Sequence, residues 1–171
     1  MAKTFLTADT HFGHAGVCKF LRDDGSPLRP WDDPEEMDEA LIERWNSVVS
    51  PDDKVYHLGD VAIPRRGLNC LAKLNGRKVL IRGNHDIFKL SDYTQYFKDI
   101  RGCHYMDGIV LTHIPVHPDN LARWKGNIHG HLHYRRIRLP DGTADERYQC
   151  VCVEHTAYAP IDWEKVRSRY N

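Results

Sequence analysis

Short apolar runs recur along the chain, each bounded by turn residues or by a stretch of helical periodicity. Lys3 to Ala8 reads as a first strand that ends at Asp9. A helix is predicted from Asp33 to Val48: Asp33 suits the N-cap, Pro34 the first turn, and Glu36 the capping position near N3. Met37, Leu41, Trp45 and Val48 follow at helical spacing and are expected on its core face. Further strands are predicted in Asp53 to Asp60, Arg77 to Asp86, Gly108 to His113 and Gly126 to His133. Between them, Leu68 to Leu74 reads as a second helix stopped by Gly76, and Ser91 to Phe97 as a helical stretch. Tyr134 to Leu139 and Arg147 to His155 read as a hairpin through Pro140-Asp141-Gly142, with a last helix from Asp162 to about Arg169.

Strands alternating with helices predict an α/β protein with added hairpin strands near the C-terminus. Its 171 residues contain no linker-like stretch, so one domain over residues 1–171 is expected. A chain of that size buries enough surface to fold without a disulfide or a structural metal.

The charge balance excludes some partners. Lys+Arg and Asp+Glu both number 24, so no overall basic field draws in long nucleic acid or an anionic membrane. The longest apolar run, Cys150 to Val153, is far short of a membrane span, and the first residues lack a signal-peptide core. Five cysteines without a Cys-x-x-Cys pair suggest reduced thiols and a cytoplasmic setting. Cys150 and Cys152, two apart in a strand-like run, are expected on one packed face. The unusual count is 11 histidines, most of them beside Asp, Gly or Asn.

Five successive predicted strands end in residues that can bind a metal. They are Asp9 and His11, Asp60, Asn84 and His85, His113, and His131 with His133. In α/β sheets ligands bind beyond the carboxyl ends of the strands, so these residues can converge. Two carboxylates, an amide oxygen and four imidazoles, with His85 beside them, exceed what one tetrahedral zinc takes. The N/O set without thiolate suits two transition-metal cations and disfavours calcium. Two such ions activate a shared water and clamp an in-line displacement at phosphorus.

The motifs Asp9-Thr10-His11, Gly59-Asp60, Gly83-Asn84-His85-Asp86, Thr112-His113 and Gly130-His131-Leu132-His133 resemble, in order, those of the calcineurin-like metallophosphoesterases. The resemblance implies a four-layer αββα sandwich of two mixed β-sheets flanked by helices. It implies two divalent or trivalent transition-metal ions, manganese first, then Fe, Zn, Co or Ni. Asp9, His11 and His133 would hold one ion, Asn84, His113 and His131 the other, and Asp60 would bridge them. His85 would act on the phosphate, oriented by Asp86, with Gly83 serving a tight turn. The expected activity is hydrolysis of a small phosphodiester, or else a monoester, by a metal-bridging hydroxide; a nucleotide is among the candidate substrates. After Asp60 the chain reads Val-Ala-Ile-Pro-Arg-Arg-Gly where the larger protein phosphatases read Asp-Arg-Gly, which argues against a phosphoprotein substrate. The competing expectation is a non-catalytic scaffold of the same fold.

His57 and His129 are expected as packed core histidines, and His104 and His155 as loop residues. His14 and His117, close in sequence to the ligand motifs, are candidates to line the substrate site. Arg65 and Arg66 read as a solvated pair.

Overall fold

The computed structural model describes residues 1–170. Nine strands form two mixed sheets: β1 (Thr4–Thr7), β2 (Lys54–His57), β3 (Arg77–Ile81), β4 (Phe97–Arg101), β5 (His104–Met106), β6 (Ile109–Leu111), β7 (Gly126–His129), β8 (Tyr148–Cys150) and β9 (Ile161–Asp162). The first sheet runs β4-β3-β2-β1-β9, with β1 to β4 parallel and β9 antiparallel to β1. The second runs β5-β6-β7-β8, with β5 antiparallel to β6 and the rest parallel.

Alternation along each strand divides the core in two. Leu6, Tyr56 and Val79 stand in register across β1, β2 and β3 and face the second sheet, where Ile109, Leu111 and Ile128 meet them. Their neighbours Phe5, Val55 and Leu80 point the other way, into a core closed by helix α1 (Pro34–Val48) and the 3-10 turns of Arg65–Lys73. Asp33 caps α1 by accepting from the Glu36 N–H at 3.0 Å, and Met37, Leu41 and Trp45 are buried. Val48 is exposed instead of buried: the helix ends there, the chain turns extended, and Val49 takes the inward position.

The short helices α2 (Leu90–Tyr93) and α3 (Trp163–Arg167) complete the elements. The layer outside the second sheet is thin. It consists of the segment around the 3-10 turn Pro118–Arg123, with Leu121 buried and the Val116 N–H bonded to Asn127 Oδ1.

Three further expectations need correction. Leu68 to Leu74 forms 3-10 turns, not an α-helix. The Ser91–Phe97 stretch yields a single helical turn before the chain enters β4, an edge strand with no apolar alternation to signal it. The C-terminal hairpin is reduced to one bridge, Arg138 to Ala144, because β8 pairs in parallel with β7, His129 opposite Cys150. Past the strand ends Ala8 bridges Cys152, stitching the two sheets together where β1, β2, β3, β6 and β7 all terminate.

Candidate metal centre

At that edge the seven residues expected as ligands meet. Asp9, His11 and His133 form one group, and Asp60, His113 and His131 a second; within each group the donor atoms lie within 4.8 Å of one another. Asn84 joins the second group, its Oδ1 2.9 Å from His113 Nε2. Asp60 stands between them: its Oδ2 is 3.7 Å from His11 Nε2 and 3.4 Å from His113 Nε2.

The backbone is bent to achieve this. Among the described residues, eight other than glycine have positive φ, and five of them are Asp9, His11, Asp60, His131 and His133. Left-handed backbone costs an L-residue energy, and such positions persist where the surrounding structure forces them, often at functional sites. Gly83 is needed for a different reason from a turn. A Cβ there would sit 2.2 Å from Asp60 Oδ1, so only glycine lets the two strand ends approach.

Hydrogen bonds orient the donors. His113 Nδ1 is bonded to the Leu58 carbonyl at 2.7 Å, which leaves Nε2 facing Asp60. His133 Nδ1 is bonded to Glu154 Oε1 at 3.0 Å, and Arg29 donates to the same oxygen at 2.9 Å. Arg29, fully buried, also donates to the carbonyls of Asp9 and Thr10, fixing the first loop. Neither Glu154 nor Arg29 was legible as part of the site: each lies outside the motifs, and Glu154 only follows a strand-like run. Cys152 Sγ lies 3.1 Å from Asp9 Oδ2.

Burial alone would raise the Asp9 carboxyl, yet the nearby imidazoles of His11, His113 and His133 bring it well below the ordinary carboxylate range. Asp60 is likewise lowered against its burial, chiefly by His113. For His113 desolvation opposes the proton, but Asp60 and Asp9 outweigh it and lift the imidazole to about 9. His133 is raised against burial by Glu154, whereas burial lowers His11 and His131. Asp9 Oδ1 and both ring nitrogens of His11 are buried without a hydrogen-bond partner. Unpaired buried polar atoms are costly, and a cation would satisfy Asp9 Oδ1 and one ring nitrogen of His11. The residues therefore fit a pair of metal ions.

His85 lies at the cluster without belonging to either donor group. Its N–H donates to Asp60 Oδ1 at 2.9 Å, its ring centroid is 5.9 Å from that of His11, and the residue is exposed. Asp86 does not orient it. Both Asp86 oxygens accept backbone N–H bonds, from Asp60 and Gly83 at 2.8 Å and Val61 at 3.0 Å, so Asp86 shapes the loops that present Asp60. His14 sits beside His11, centroids 5.4 Å apart, and burial with the neighbouring His11 lowers it to about 4. His117 is turned away from the centre. Its Nδ1 accepts from the Asp119 N–H and caps the turn Pro118–Arg123 with an exposed ring. His57 is a buried core histidine, bonded to Thr10 Oγ1 and lowered by desolvation to about 3. His104 lies in β5 and stacks on Tyr56.

Fold and site define an α/β protein of two mixed sheets carrying paired Asp/His groups able to hold two metal ions. The chain belongs to the family of the uncharacterized protein MJ1445 of Methanocaldococcus jannaschii, with which it is 33% identical over 97% of its own length and 90% of that protein's. The gene 66 protein of mycobacterium phage D29 is 30% identical over 81% of this chain and 82% of its own. Among solved structures, the protein of unknown function AQ665 from Aquifex aeolicus superposes with a TM-score of 0.67 at 25% identity, covering 98% of this chain and 99% of that one. No protein-family model matches the chain.

Proposed function

We propose that this protein is a metal-dependent phosphoesterase of the calcineurin-like type, cleaving a small phosphodiester in preference to a monoester. The observation that carries the reading is the position of Asp60, whose Oδ2 faces an imidazole of each donor group at once. A carboxylate so placed can be shared by two cations. When bound, the two ions supply Lewis-acid activation of water and neutralise charge at phosphorus.

The chain's own residues do the rest. Asp9, His11 and His133 would hold one ion and Asn84, His113 and His131 the other, while the Leu58 carbonyl and Glu154 fix the rings of His113 and His133. His85, free of either donor group and exposed, contacts a phosphoryl oxygen or gives a proton to the leaving oxygen. His14, with Phe20 packed edge-on against it at 5.8 Å, borders the substrate side. Manganese is the first metal to try. No helix among the described residues is long and apolar enough to cross a membrane.

The test is hydrolysis of bis(p-nitrophenyl) phosphate and p-nitrophenyl phosphate by protein stripped with chelator and reloaded with Mn²⁺. Metal-dependent turnover with the diester faster is expected. No turnover of either substrate with two metals bound would favour a binding scaffold.

A further inference from the structure

Beside β8, a cleft of about 90 Å³ opens between that strand, the loop at Arg136 and the C-terminal segment at Arg169. Three side-chain atoms in its wall are buried without a hydrogen-bond partner: Gln149 Oε1, His155 Nε2 and Thr156 Oγ1. Orphaned polar atoms are uncommon in folded proteins, and three in the residues around one cavity favour a polar occupant over an apolar one. The wall is cationic on balance. It carries two guanidiniums and two imidazoles and no carboxylate; its one acidic group is the Cys150 thiol, pushed down by Cys152 and by the His129 and His155 imidazoles. Elsewhere Arg29, Arg65, Arg101 and Arg147 each meet an acidic partner, whereas Arg136 and Arg169 have none among the described residues.

We propose that this cleft is a second site, one that binds a small oxyanion, either inorganic phosphate or the phosphate of a monoester. Guanidinium groups bind phosphate through charge-assisted, paired hydrogen bonds, and the Thr156 hydroxyl and His155 Nε2 supply further contacts. A phosphate near neutral pH keeps a hydroxyl for part of its population, and that hydroxyl satisfies Gln149 Oε1, which needs a donor. Cys150 lines the cleft, and its Sγ lies 3.2 Å from that of Cys152, which in turn touches Asp9. The two sites therefore share a wall.

The experiment uses the full chain stripped of metal and dialysed, so that a failure here is separate from a failure of the phosphoesterase reading. Cys150 alkylation by iodoacetamide is followed by peptide mass mapping at increasing inorganic phosphate. Saturable slowing at Cys150 is expected. In Arg136→Ala/Arg169→Ala, two exposed positions that leave the core intact, half-protection should need at least tenfold more phosphate. Thr156→Val should weaken protection without altering the circular dichroism spectrum. A nucleoside monophosphate protecting at lower concentration than phosphate would assign the site to a phosphoester group, and equal protection to free phosphate. Alkylation unaffected by phosphate, or protection unchanged in the double variant, would overturn the proposal.

Discussion

Glu154 Oε1 lies 3.0 Å from His133 Nδ1 and accepts from Arg29 Nε at 2.9 Å, so one buried carboxylate ties a metal-centre imidazole to the loop behind it. Carboxylates placed in this way orient a ligating histidine and strengthen it as a donor, and losing them typically costs about 10–100-fold in metal affinity. Glu154→Gln should therefore weaken binding of one metal by that factor while the second remains. Isothermal titration with Mn²⁺ separates the two events; unchanged affinity would remove Glu154 from the site.

Arg29 is the other half of this arrangement. It is 1% exposed and donates to Asp9, Thr10 and Glu154. Breaking a buried ion pair leaves an uncompensated charge and costs about 3–5 kcal/mol. Arg29→Met should lower the urea midpoint accordingly, and a loss below about 1 kcal/mol would contradict the account.

Asp60 and His85 should separate binding from turnover. Asp60→Asn is expected to lose metal occupancy and hydrolysis together. His85→Ala is expected to keep two metals per chain while hydrolysis falls about 10²–10⁴-fold, the usual share of a positioned acid–base group. Loss of a metal in His85→Ala, read by elemental analysis, would reassign that residue as a ligand.

Gly83→Ala tests the close approach at Asp60. The added methyl would lie 2.2 Å from Asp60 Oδ1, so Asp60 must move. Overpacking of this kind typically costs about 1–3 kcal/mol, and here it should also lower metal affinity. Wild-type affinity in the alanine variant would show that the loop has room.

The protein freed of metal should also have a distinctive pH profile. His113 is raised from 6.5 to about 9 in the folded state, mainly by Asp60 and Asp9 acting against burial. A raised imidazole adds stability that is fully present below the unfolded value and disappears as pH rises through the folded one. Stability in chelator should thus fall between about pH 6.5 and 9, and His113→Gln should flatten that fall. Binding a metal must displace the same proton, so Mn²⁺ affinity should rise with pH over this window.

Much of this arrangement was legible in the residues. The seven donors stand at strand ends and in motif order, and the capping signals of α1 mark its start at Asp33 and Pro34. What escaped was whatever depends on contacts distant in sequence. Asp86 reads as a partner for its neighbour His85, but backbone amides of another loop claim it. His117 sits four residues after His113, yet a proline-initiated turn carries it into solvent. Gly83 reads as turn chemistry, while its actual constraint is a carboxylate 23 positions earlier in the chain. Glu154 and Arg29, 125 positions apart, have no local signal at all. Nor do β4 and β5, since edge strands with mixed burial lack the alternation that marks a half-buried strand.

Anomalous diffraction from crystals soaked in Mn²⁺ would place the ions directly. Two peaks are expected roughly 3.5–4 Å apart, the spacing of two-metal sites, one against Asp9, His11 and His133 and one against Asn84, His113 and His131, with Asp60 touching both. A single peak, or two peaks with Asp60 bound to only one, would contradict a shared dinuclear centre.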